Sequence, residues 1–118
     1  MKRLFLLFSI LSVGASVLAQ PVMKLSVSEH DFGTFKEEAG RQTYDFVVSN
    51  TGNTPLVIQN VVPSCGCTTP EWTREPIQPA SKGKVTAIYD PAGRPAGQFS
   101  KTLSVYTNSE PNIVVLTI

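Results

Sequence analysis

Residues 42–49 place Tyr44, Phe46 and Val48 on one side of the chain and Thr43, Asp45 and Val47 on the other. Successive side chains of an extended strand point to opposite faces, so this period of two describes a half-buried strand and excludes a helix over the same residues. The pattern recurs along the chain in short segments cut by Gly, Pro, Asn and Asp. The segments are 25–27, 32–35 after a kink, 42–49, 56–62, 84–89, 99–107 and 113–118. In the fourth, Leu56, Ile58 and Asn60 fall on one face and Val57 and Val61 on the other. Residues 36–41 form a charged turn around Gly40, Asn50-Thr51-Gly52-Asn53 is a tight turn, and 90–97 and 108–111 are loops. Residues 64–82, with Pro63 at the edge and Pro70, Pro76 and Pro79 inside, read as a long irregular segment. Nothing from residue 20 onward shows helical periodicity over ten or more residues.

About seven short strands in about 100 residues predict an all-β fold, an immunoglobulin-like antiparallel β-sandwich, with an open antiparallel barrel as the alternative. The expected domain covers residues 20–118. Residues 1–19 have the three parts of a secretory signal: basic Met1-Lys2-Arg3, an apolar stretch from Leu4, and Val17-Leu18-Ala19 at the positions a signal peptidase reads. The apolar stretch ends at Leu18, short of the roughly 20 residues needed to cross a bilayer. The expectation is a periplasmic or extracellular protein that is not inserted in the membrane after cleavage. Loss of Lys2 and Arg3 leaves 8 basic residues from 10 against 9 acidic ones, a formal charge of −1. The basic residues form no run, which argues against a nucleic-acid partner.

Cys65-Gly66-Cys67 holds the only cysteines. In an exported chain such a pair reads first as a disulfide. The bond would contribute little to stability, because a loop of about three residues gives roughly 1.6 kcal/mol in the chain-entropy account. Three readings stay open: a locked loop without chemistry, a thiol-disulfide exchange site, or a soft-metal site in which Cys65 and Cys67 hold Cu(I). Zinc would need further ligands, since two Cys and one His do not close a tetrahedral site. The absence of a helix pattern after Cys67 weighs against the usual redox-active dithiol, whose thiol pKa is lowered at a helix start.

His30, between Glu29 and Asp31, reads as a solvated surface residue, and Met23 as apolar filler that is at best a remote copper ligand. Trp72, with Arg74, is a candidate binding-loop pair, or else a cover for the end of the core. Arg94 is an isolated loop arginine, and Glu37-Glu38 a solvated pair. No nucleophile elbow, metalloprotease helix or phosphate-binding glycine loop is present, so no catalytic residue is assigned.

Phe32-Gly33, Phe46 to Asn50 running into Thr51-Gly52, Pro55-Leu56, Ser64-Cys65-Gly66-Cys67-Thr68, Pro70, Trp72, Pro76-Ile77, Gly97-Gln98-Phe99, Lys101 and Thr107-Asn108 occur in this order. Together they resemble the bacterial family called domain of unknown function 1573, from about Phe32 to Ile118. The resemblance implies an immunoglobulin-like sandwich in an exported protein, similar to modules that bind protein partners and are not enzymes. Family members usually run a few residues past the position of Ile118, so two readings of the last strand stay open: it finishes flush with the sheet, or it is shortened. The functional expectation is a non-enzymatic module for a protein partner, with a thiol-disulfide redox or Cu(I)-binding role for Cys65 and Cys67 as the alternative. The loops carrying Cys65, Cys67 and Trp72 are expected at one end of the sandwich.

Overall fold

The computed structural model describes residues 19–118. The expected leader, residues 1–19, lies outside the described residues except for Ala19. Seven strands form: β1 (Met23–Leu25), β2 (Gln42–Asn50), β3 (Ile58–Pro63), β4 (Thr68–Trp72), β5 (Lys82–Tyr89), β6 (Thr102–Thr107) and β7 (Ile113–Thr117). They pair antiparallel in two sheets, β1-β2-β5-β4 and β3-β6-β7. That is the strand order of a constant-type immunoglobulin sandwich. The core lies between the sheets, where Phe46, Val48, Val85 and Ala87 of one face Leu103, Val105 and Leu116 of the other. All seven of these side chains are fully buried. The alternation of β2 survives intact: its buried positions are Phe46, Val48 and Asn50, with Asp45 and Val47 outside.

Several boundaries differ from the sequence reading. The first strand begins two residues earlier than expected, at Met23, because Met23 and Leu25 pair with Asn50 and Val48. Residues 32–35 are not a strand; the chain instead crosses to the other sheet, where Glu29 bridges Thr117 in parallel. This crossing is fixed by His30 N–H to Thr117 O at 2.9 Å and Thr117 N–H to Ser28 O at 2.9 Å. In β3 the register shifts between Ile58 and Asn60, and the phase of alternation inverts. Val61 is therefore buried and Asn60 exposed, the reverse of the expected facing. An extra residue in one strand of a ladder produces this inversion.

The segment expected to be irregular contains β4. Pro70 is compatible with a strand there because β4 is an edge, where one row of N–H groups needs no ladder partner. Its register, Thr68 opposite Tyr89 and Trp72 opposite Val85, turns Thr68, Pro70 and Trp72 inward. Phe99 lies outside β6, in a loop that ends only at Thr102. Just past β7, Ile118 exchanges two backbone hydrogen bonds with Lys101, at 2.9 and 3.0 Å, and is buried.

Candidate functional site

The connections fall at two ends of the sandwich. At one end lie residues 51–57, 73–81 and 108–112; at the other lie 26–41, 64–67 and 90–101. The Cys65-Gly66-Cys67 turn belongs to the second group and is the corner where the chain passes from β3 in one sheet to β4 in the other. Cys65 and Cys67 are disulfide-bonded, with Cα atoms 5.3 Å apart. Cys67 is 3% exposed and counts among the core side chains, whereas Cys65 is half-buried. The Cys67 N–H donates to Cys65 Sγ at 3.3 Å, and Thr68 Oγ1 lies 3.8 Å from Cys67 Sγ. The Cys67 carbonyl accepts the Asp90 N–H at 2.8 Å, which ties the corner to the start of the 90–101 loop.

Beside this corner the 29–38 and 91–99 segments face each other across an open cleft of about 1290 Å³, floored by Tyr89, Thr117 and Ile118. Phe32, Phe35 and Phe99 line it from the walls. The rings form an unbroken series into the core. Tyr89 stacks on Phe99 at 4.2 Å; Phe35 meets Phe99 edge-on at 6.1 Å and Phe32 at 6.5 Å. Phe32 meets His30 at 5.0 Å, His30 stacks on Tyr44 at 3.7 Å, and Tyr44 meets buried Phe46 at 4.9 Å. Stacked and edge-to-face pairs of this kind hold one another in place, at about 0.5–1.5 kcal/mol each beyond burial. The walls are also joined by a hydrogen bond from Gly93 N–H to Glu37 Oε1 at 2.9 Å. Arg41 and Asp90 pair at 3.8 Å near their bases, both well exposed. Gly33 (φ 70°) and Gly97 (φ 130°) turn the two walls in backbone regions that side-chain-bearing residues rarely adopt.

The structure does not bring all the sequence candidates together. Cys67 and Trp72 lie at opposite ends of β4, about 16 Å apart along an extended strand. Trp72 packs on the core and carries the Arg74 guanidinium 3.5 Å above its ring, a cation–π pair at the end away from the cleft. The expected single surface of Cys65, Cys67 and Trp72 is thus divided in two. His30 is not a solvated residue but half-buried between Tyr44 and Phe32. Met23 sits in β1, at the opposite edge of the sheet from β4 and toward its other end, far from either sulfur. Among the described residues no three His, Cys, Asp or Glu side chains converge as metal ligands. Arg94 and Glu37 both line the cleft. Phe35 and Tyr89 carry no motif that marks them as site residues, and Phe32 and Phe99 stand out in the sequence only as strand residues and family markers. Aromatic residues beside glycines in loops, as in Phe32-Gly33 and Gly97-Gln98-Phe99, were the available signal.

Residues 23–118 match the family model described as a protein of unknown function, DUF1573. The chain belongs to the DUF1573 family. The DUF1573 fold is shared by a crystal structure described as a protein of unknown function from Porphyromonas gingivalis W83, with a TM-score of 0.75 and 21% sequence identity. The alignment covers 87% of this chain and 48% of that one, so this DUF1573 chain spans about half the length of that protein. No curated protein matches it.

Proposed function

We propose that this DUF1573 domain is a non-enzymatic interaction module, exported to the periplasm or beyond, that receives a protein partner in the cleft between residues 29–38 and 91–99. The observation that carries the reading is the open cleft lined by Phe32, Phe35, Phe99 and Tyr89. At about 1290 Å³ it exceeds the roughly 300–1,000 Å³ usual for small-molecule sites. Aromatic anchors surrounded by charged residues are the composition of protein-binding surfaces, and here Glu29, Asp31, Lys36 and Arg94 supply the rim. Loops held by a rigid sandwich are also where binding residues concentrate. The leader pattern of residues 1–19 supports export, and the charge of −1 that follows its removal gives no attraction to nucleic acid. No helix among the described residues is long and apolar enough to cross a membrane.

Photo-crosslinking in cells tests this reading. A benzophenone side chain placed at position 36 or 94, on the two cleft walls, is expected to capture the same protein. The same group at the exposed position 69 on β4 should not. Phe99→Ala should abolish capture from both walls. Equal capture from position 69, or capture indifferent to Phe99→Ala, would overturn the proposal.

A further inference from the structure

We propose that the Cys65–Cys67 disulfide is an exchange site for an external dithiol, attacked at Cys65, and that opening it releases the 91–99 wall of the cleft. Three observations converge. First, the bond spans only two residues within a corner already held by the ladders of β3 and β4 on either side, so the sandwich does not depend on it as a staple. Second, the two cysteines differ in exposure. Cys67 is buried at 3% exposure, whereas Cys65 is half-buried, so an incoming thiolate reaches Cys65. Third, the Cys67 carbonyl holds the Asp90 N–H at 2.8 Å, and the neighbouring Tyr89 stacks on Phe99 of the wall at 4.2 Å. A change in the corner backbone is therefore felt directly where the wall begins.

The exchange balances as two displacements. A thiolate of the dithiol attacks Cys65 Sγ, forming a mixed disulfide and expelling Cys67 Sγ as a thiolate, which takes up a proton next to Thr68 Oγ1, 3.8 Å away. The second thiol of the dithiol, as its thiolate, attacks its own sulfur in the mixed disulfide and expels the Cys65 thiolate, which is protonated in turn. The protein gains two electrons and two protons, and the dithiol leaves as a disulfide. The relevance of wall release to partner binding rests on the cleft reading above; the exchange itself does not.

The test uses the oxidised full chain without its leader. Dithiothreitol under native conditions is expected to reduce the pair while the core amides of Phe46 and Val85 keep their protection from hydrogen exchange. Glutathione, a monothiol, should leave its adduct on Cys65. After reduction the Asp90 amide should exchange at least about tenfold faster, as local opening without global unfolding requires. The Cys65→Ser/Cys67→Ala double variant should show the same faster exchange at Asp90. An adduct found on Cys67, a bond that resists dithiothreitol until the core unfolds, or Asp90 exchange unchanged by reduction would each overturn the proposal. Phe99→Ala, which removes the partner contact, should leave the glutathione adduct on Cys65, so failure of the cleft reading is distinguishable from failure of this one.

Discussion

Asn50, 1% exposed, uses its whole side chain. Its Nδ2 donates to the carbonyls of Thr54 at 2.7 Å and Ile77 at 2.9 Å, and its Oδ1 accepts from Gly52 N–H at 3.0 Å and Val22 N–H at 3.3 Å. One amide thus joins the start of the domain, the turn after β2 and the 73–81 segment. Gly52 completes this arrangement, because a Cβ there would run into the backbone of Gln20, Pro21 and Val22. Asn50→Ala would strand several buried partners, at about 1–3 kcal/mol for each left unsatisfied. A loss of about 3 kcal/mol or more is expected in urea unfolding. The opposite sign is expected at Ala80, which has φ 62° in the turn closed by Ser81 N–H to Gln78 O at 3.0 Å. That position favours glycine, and the left-handed region costs other residues about 1–2 kcal/mol. Ala80→Gly should raise stability by about 0.5 kcal/mol, the strain relief less the added freedom of the unfolded chain. A lower urea midpoint for this variant would contradict the turn geometry.

At the scale of elements, β3 and β4 show how a strand departs from its local pattern. The register shift after Ile58 turns Val61 into the core at 3% exposure and leaves Val62 at 44%. Val61→Ala should cost about 1–2 kcal/mol and Val62→Ala less than about 0.5 kcal/mol. Equal costs would place the bulge elsewhere. Strand β4 exists because the exposed edge of β5 accepts it from Thr68 to Trp72, and Pro70 confines it to that edge. The element that carries the disulfide corner to the sheet is therefore one whose own composition reads as loop.

For the molecule as a whole, stability comes from two apolar faces closing on each other, not from the disulfide or from charges. The ion pairs Arg41–Asp90 at 3.8 Å and Lys84–Asp45 at 3.9 Å are both largely solvated, and pairs of this kind contribute little. Cys65→Ser/Cys67→Ala should lower the unfolding free energy by no more than about 2 kcal/mol, which is roughly the entropic term of so short a loop. Cooperative unfolding should persist, since the two sheets share a core of buried side chains outside this corner, Phe46, Val48, Val85 and Ala87 with Leu103, Val105 and Leu116. Loss of folding at room temperature would show that the corner matters to the core more than its geometry indicates.

Local pattern was enough for the sandwich class, most of the strands and the disulfide candidate. Alternation records which side of a strand meets the core, and Asn50-Thr51-Gly52-Asn53 or 90–97 cannot continue a ladder. The register inversion in β3 and the pairing that makes β4 a strand were not legible. Both depend on a partner strand far away in the sequence. The cleft was hidden for the same reason: Phe35 meets Phe99 and Tyr89, with Phe32 against Phe35, only because residues 28–30 cross to β7 while the 90–101 loop folds back over the same end. Side-chain period is a property of neighbours along the chain. The distance between two loops is a property of the closed sandwich.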